Sequence, residues 1–429
     1  MTLRVFAVIA LLVLGAPYTA QAQLRGHGGP VRALAISPDG TQAVSGSFDT
    51  SVIRWSLPKN AAEQVLRFHD GAVNAALFLR DGRIATSGED ARIAIWTPGA
   101  PQPSKVLEGH TAPVVVLAIS PDGTTLASGS WDHTARLWPL AGGAPRVIEG
   151  HAQNVNGVAF ASDGRALITA GYDATLRISP VAGGSAPTVT TLPTPLNTVA
   201  VAPDGEIVTA GADGKVYVLS PTGELLGAIE AAQAPIISVA LSRDGSLIAA
   251  AGVRGSVAII DKAARKMERT LVGPGLPVWS AAFFPDGRTL LTGGSDRMIR
   301  RWDVLTGEPI GNIVMGAPED PLAAFADDPG AEVFRACVAC HTLKPDEGVR
   351  AGPTLAGVFG RKIATLPGYN FSDALKKLDI VWTPDTVAKL FEVGPMTYTP
   401  GTKMPEQRIG SAEDRAALVK FLEKATTQP

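Results

Sequence analysis

An Asp-Gly pair recurs seven times in this chain, and its spacing constrains the fold more than any other feature. The pairs are Asp39-Gly40, Asp81-Gly82, Asp122-Gly123, Asp163-Gly164, Asp204-Gly205, Asp244-Gly245 and Asp286-Gly287, at intervals of 42, 41, 41, 41, 40 and 42 residues. Asp-Gly between two apolar runs marks a tight hairpin, because both residues tolerate the positive φ that such a turn needs. Each pair follows a β-type run such as Val31 to Ile36 and precedes two more, such as Gln42 to Ser45 and Val52 to Trp55. A fourth run, Gln64 to Arg67 in the first unit, leads into the next unit. Four strands in a unit of this length is the size of a propeller blade. Residues 23–315 are therefore predicted to form a seven-bladed all-β propeller. Only Gln23 to Arg25 precede the first Gly-His, so Glu308 to Met315 is expected to supply the outer strand of blade seven. Closure is then expected to rest more on packing between blades seven and one than on a shared strand.

A second pattern rides on the repeat. Gly26-His27, Phe68-His69, Gly109-His110 and Gly150-His151 stand 21 or 22 residues before Asp49, Asp90, Asp132 and Asp173. Trp55, Trp96 and Trp138 follow the first three of those aspartates by six residues. These residues make the repeat region resemble the WD-repeat β-propellers. The resemblance implies a hydrogen-bonded tetrad inside a blade: His27/Ser45/Asp49/Trp55, His69/Thr86/Asp90/Trp96 and His110/Ser128/Asp132/Trp138. Blade four keeps His151, Thr169 and Asp173 but has Ser179 at the Trp position. Blades five and six have largely lost the pattern. Blade seven regains Thr292, Asp296 and Trp302-Asp303, with Pro274 where the histidine would stand. A buried histidine bonded to Asp and Ser or Thr satisfies its polar atoms, so these histidines read as structural. That leaves His133 uncommitted, and one histidine makes a poor metal site.

The amino terminus reads as an export signal. Arg4 gives a positive n-region, Val5 to Leu14 an apolar core, and Ala20-Gln21-Ala22 a cleavage site, so residues 1–22 are expected to be removed. Ten apolar residues fall short of the roughly 20 that a membrane span needs. No cysteine follows the core, so a lipoprotein is not expected, and neither is an integral membrane segment after cleavage. The net charge is −2, with no basic footprint for nucleic acid. These readings point to a soluble protein of the periplasm.

The only two cysteines of the chain lie in Cys337-Val338-Ala339-Cys340-His341. C-x-x-C-H is the attachment pattern of a c-type haem: two thiols add across the vinyl groups and the histidine is placed to ligate the iron. A zinc site would need a second ligand pair, and a thioredoxin-like pair would need a βαβ setting. Residues 316–330 (GAPEDPLAAFADDPG) read as a linker. Residues 331–429 read as a small all-α domain. Helices are expected over Ala331 to Ala336, over Trp382 to Phe391 with a Thr383-Pro384 start, and from Ser411 to about Lys424. Met404 is a candidate second iron ligand, with Met396 the alternative.

The order Gly352-Pro353, Val358 to Lys362, Pro367-Gly368-Tyr369, Trp382 and Tyr398 to Met404, ending in Glu413 to Val419, resembles the soluble mitochondrial and bacterial cytochromes c (class I). That resemblance implies one haem c, with thioether links at Cys337 and Cys340 and axial ligands His341 and Met404. It implies that the Pro353 carbonyl holds the other ring nitrogen of His341, that Arg361 and Trp382 meet a haem propionate, and that Tyr398 and Thr402 flank the methionine loop. Two positions depart. Phe371 stands where a tyrosine is usual, and Leu375 where an asparagine is common. A more apolar pocket disfavours the extra charge of Fe(III), so the potential is expected to be at or above that of relatives.

Together these readings describe an electron carrier, not an enzyme, because both axial positions are filled. The resemblance to WD repeats places Phe48, Trp131 and Tyr172 on the top face of the propeller. Trp279 sits there in a second row with Arg32, Asn74, Val115, Asn156, Asn197 and Ile237. Phe48, Trp131, Tyr172 and Trp279 form an aromatic arc suited to docking a redox partner or the cytochrome in cis. Two other readings stand beside it: a redox subunit or enzyme whose propeller holds a substrate or second cofactor, and a haem-based sensor. From Phe325 onward there are 13 acidic and 13 basic side chains, so charge does not favour a partner of either sign.

Overall fold

The computed structural model describes residues 23–273, 275–311, 322–335, 337–338, 340–345, 350, 352–369, 371–402, 404 and 407–426. The expected export signal and Pro274 lie outside them. Seven antiparallel four-stranded sheets follow one another along the chain. Blade one consists of Val31–Ile36, Gln42–Ser47, Ser51–Ser56 and Ala61–Arg67, paired in that order. The first strands of successive blades pack on one another, and Val31–Ile36 meets Val278–Phe283 of blade seven, which closes the ring.

The Asp-Gly turns form as their chemistry requires. Gly40 takes φ of 73°, its N–H donates to the Ser37 carbonyl at 2.9 Å, and the Thr41 N–H donates to the Asp39 carboxylate at 3.0 Å. Apolar layers then fill the space between blades. Val31, Ala43, Ile53 and Trp55 of blade one pack with Leu291 and Ile299 of blade seven.

Closure differs from the sequence expectation. Gln23–Arg25 pairs antiparallel with Met298–Asp303 of blade seven, Leu24 opposite Ile299, and becomes its outer strand. Pro309 bridges Trp302, and the Ile310 N–H donates to the Arg301 carbonyl at 3.0 Å. The outer edge is thus a composite of both ends of the propeller. Three residues are enough, because each pairs with an edge that blade seven already presents. Residues 312–315 of the expected outer strand lie outside the described residues.

Every first strand skips one residue in its register, at Arg32, Asn74, Val115, Asn156, Asn197, Ile237 and Trp279. These are the second-row positions of the sequence. A bulge leaves one residue outside the ladder and re-aims its side chain. Asn74, Asn156 and Asn197 use that freedom to donate to Val114, Leu196 and Ile236 carbonyls of the following blade.

The C-terminal domain is helical: α1 (Pro329–Phe334), α2 (Asp373–Lys376), α3 (Pro384–Val393), α4 (Pro395–Tyr398) and α5 (Ala412–Thr426). Thr383 caps α3 in a reciprocal box with Thr386. Phe334, Leu418, Phe421 and Leu422 form its core with Leu390 and Phe391. A Cβ at Gly330 would lie 2.0 Å from the Ala417 carbonyl oxygen, so glycine is what lets α1 cross α5 closely. The domain begins before the expected boundary at 331. Leu322 is fully buried in its core, Phe325 meets Phe421 edge to face at 5.2 Å, and Asp328 caps α1. The tail of the expected linker is thus part of the fold.

Candidate functional site

The chain leaves α1 at Phe334 and turns through Cys337, Cys340 and His341. The His341 N–H donates to the Cys337 carbonyl at 3.0 Å, which holds the pentad in a single turn. The His341 ring rests on Gly352, where a Cβ would lie 2.5 Å from Cε1. Its Nδ1 sits 2.8 Å from the Pro353 carbonyl oxygen. A carbonyl only accepts, so Nδ1 carries the proton and Nε2 keeps its lone pair. Burial lowers the pKa of His341 and favours this neutral form. Burial likewise raises the thiols, to about 12 for Cys337 and about 11 for Cys340. They are not joined to each other.

Met404 reaches the same cavity from the opposite side of the sequence. Its N–H donates to Thr402 Oγ1 at 3.1 Å, and Ser372 Oγ holds the Gly401 carbonyl at 2.9 Å. Gly401 has φ of 79° and packs against Ala374 of α2. Cys337, Cys340, His341, Pro353, Arg361, Trp382, Thr402 and Met404 all line one cavity of about 190 Å³. Met396 points elsewhere and is 65% exposed. Tyr398 does not line the cavity itself; it packs against the same helical core as Met404 and Trp382. Arg361 donates to the Ala356 and Thr354 carbonyls at 3.0 and 2.9 Å, so it braces the loop after Pro353. Phe371 and Leu375 line the cavity, Phe371 against Tyr369 with ring centroids 4.6 Å apart. The rest of the wall is apolar, with Leu355, Leu390 and Leu418 among it. A flat apolar group carrying an electrophilic edge at the thiols and a metal centre between imidazole and thioether fits these residues.

Two cavity residues come from the propeller, and local sequence did not single them out for this role. Asp49 and Arg67 line the wall beside Cys340. Arg67 lies 4.5 Å over the Tyr369 ring, and a Cβ at Gly28 would stand 2.0 Å from Cys340 Sγ. The cysteine end of the helical domain thus rests on blade one. Asp49 was read only as a tetrad member, and Arg67 only ends a strand; nothing nearby in sequence marks either as a cavity residue. Gly352 and the buried Thr399 stood in the sequence motifs Gly352-Pro353 and Tyr398 to Met404 but were given no role of their own.

The tetrads assemble inside blades one to three. Ser45 Oγ lies 2.7 Å from His27 Nε2 and accepts from Trp55 Nε1 at 2.7 Å, while His27 Nδ1 is 3.1 Å from Asp49. His69 bonds Thr86 and Asp90, and Trp96 donates to Thr86. His110 bonds Ser128 and Asp132, and Trp138 donates to Ser128. In blade five Tyr217 donates to Asp213 at 2.5 Å instead. His133 is a turn residue with φ of 70°. Among the described residues, no group of three or more His, Cys, Asp or Glu side chains is arranged to hold a metal ion.

The aromatic arc divides. Phe48, Trp131 and Tyr172 are exposed by 41%, 41% and 45%. Trp279 is half-buried, packed 5.9 Å from Phe48, stacked under Arg32 and donating to Ser295 Oγ at 2.6 Å.

Residues 16–259 match the family described as IFT122 first beta-propeller, and residues 265–303 match the WD domain, G-beta repeat. Residues 328–426 match the cytochrome c family. The chain belongs to the WD-repeat β-propellers and carries a cytochrome c domain. Similar proteins include cytochrome c of Cochliobolus lunatus, 44% identical over 98 residues, covering 23% of this chain and 90% of that protein. Cytochrome c of Arabidopsis thaliana is also 44% identical over 98 residues, covering 23% and 87%. Cytochrome c type-1 of Ascaris suum is 37% identical over 115 residues, covering 26% and 97%. The cofactor of the cytochrome c domain is one covalently bound haem c at Cys337 and Cys340. Haem c supplies one-electron transfer when bound. The chain's own part is to fix the His341 tautomer through Pro353, hold Met404 through Thr402, and keep the cavity apolar. The propeller is a protein-docking module.

Proposed function

We propose that the protein is an exported, periplasmic c-type cytochrome that passes single electrons between protein partners, with His341 and Met404 as the two axial ligands. The observation that carries this reading is one cavity lined by both cysteines, by His341 pinned at Nδ1, and by Met404. A thioether and a neutral imidazole together close the iron, which favours electron transfer over ligand activation. Export is supported by the pattern of Arg4, Val5 to Leu14 and Ala20-Gln21-Ala22. Among the described residues, no helix is long and apolar enough to cross a membrane. The propeller serves docking, not catalysis.

The test is the optical spectrum of the purified full-length protein, reduced, with and without CO. One low-spin haem that ignores CO is expected, and Met404→Ala should admit CO. A wild-type haem that binds CO readily would overturn the closed-iron reading. Additional absorbing cofactors would favour an enzyme. A protein that stays cytoplasmic on fractionation would overturn export.

A further inference from the structure

Arg67 ends the outer strand of blade one, yet its guanidinium faces the haem cavity of the other domain. Both of its terminal nitrogens are shielded from solvent and, among the described residues, lack a hydrogen-bond partner. Tyr369 presents its ring face to it, at 4.5 Å. The Asp49 carboxylate is engaged elsewhere, by His27, by the Gly28 N–H at 2.6 Å and by the Ser51 N–H at 2.9 Å. A buried cation without an acceptor is unstable, so the cavity must bring it one. The carboxylates of a haem are such acceptors.

We propose that Arg67 is a haem residue supplied by the propeller, so that docking of the two domains raises the reduction potential and reduction tightens the docking. This rests on the haem reading above. A fixed positive charge beside the cofactor favours the state with less positive charge, which is the reduced one. Coupling between docking and reduction is reciprocal: the factor by which one shifts the other is the same in both directions. Burial lowers the pKa of Arg67, and the nearby Asp49 carboxylate acts against that. Gly28 sets the contact, since any side chain there meets Cys340 Sγ. Its φ is ordinary and Asp49 Cβ is 3.7 Å away, so a substitution disturbs the docking before it disturbs the blade.

The experiment is a spectroelectrochemical titration of full-length protein with its haem, as wild type, Arg67→Gln, Arg67→Lys, Gly28→Leu and the Gly28→Leu/Arg67→Gln pair. Arg67→Gln is expected to lower the reduction equilibrium constant about tenfold, ~59 mV for one electron. Arg67→Lys should keep most of the potential. Gly28→Leu should fall as far as Arg67→Gln, and the pair should fall no further. Far-UV circular dichroism checks that each variant is folded. Equal potentials in wild type and Arg67→Gln would overturn the proposal, as would a Gly28→Leu potential equal to wild type. The haem content per chain, read from the alkaline pyridine spectrum, separates the two failures. Full haem with unmoved potentials sinks only the role of Arg67, whereas a chain without covalent haem sinks the electron-transfer reading and this one with it.

Discussion

Blades one to three and the cytochrome c domain bury polar groups in opposite ways. In each of those blades a histidine, a hydroxyl, an aspartate and a tryptophan meet one another's needs within about 30 residues of chain. The cytochrome domain instead aims a histidine Nε2, two thiols and a thioether at a cavity, and the propeller adds an arginine whose terminal nitrogens have no hydrogen-bond partner among the described residues. The tetrads are complete from their own side chains. The cavity is a shape finished by a cofactor. Self-sufficiency suits a platform, and incompleteness suits a redox site.

The sharpest way to break this contrast is to remove the cofactor links. Cys337→Ser/Cys340→Ser should carry no covalent haem on a denaturing gel. Its far-UV circular dichroism should lose the helical signal while the β signal of the propeller stays. Retention of a cooperative helical melt would show that the cytochrome domain is complete without haem.

The reverse change makes the propeller incomplete. Ser45→Ala leaves Trp55 Nε1 and His27 Nε2 without their shared partner in a fully buried site, at roughly 2–3 kcal/mol. In blade five, Thr209 Oγ1 makes one bond, to the Thr198 carbonyl, so Thr209→Val should cost about 1 kcal/mol or less. Urea denaturation of the two variants compares them; equal losses would show that the tetrad adds nothing beyond a single bond.

Acid should act on the tetrad blades. Burial lowers the folded pKa of His110 and of His151, so these stay neutral in the folded state while the unfolded chain takes up protons. Stability is then complete above the ordinary histidine value and falls as pH drops below about 6.5. Burial alone would raise Asp49, but His27 and Ser51 hold it at about 2, below its usual 3.8, so a further loss begins below about pH 4. Thermal melts from pH 7 to pH 3 should show both stages, and His110→Gln should weaken the first.

The smallest expected effect is in the cavity wall. Leu375→Asn adds a polar group beside the haem and should favour Fe(III) about threefold, ~30 mV for one electron. A rise in potential would contradict the dry-pocket argument.

Much of this was legible residue by residue. The Asp-Gly period carried the seven sheets because a hairpin is a local event, and Cys337 to His341 marked the haem because the chemistry needs those atoms at that spacing. Thr383-Pro384 marked α3 for the same reason. Closure was not legible in Gln23 to Arg25, because three residues hold no periodic signal of their own. Leu322 and Phe325 looked like linker because they pack into a core whose other members, such as Phe334 and Phe421, come later in the chain. That Tyr398 packs into the helical core and leaves the cavity wall to Thr402 and Met404 was not legible either, since α4 decides where it turns.

The sequence by itself determined the blades, the tetrads and the haem attachment, all of which rest on short-range spacing and fixed chemistry. Only the tertiary structure decided that Gly28, Asp49 and Arg67 meet Cys340 and Tyr369. Those contacts join residues about 300 positions apart, and their energy depends on how two finished domains fit, which no local pattern encodes.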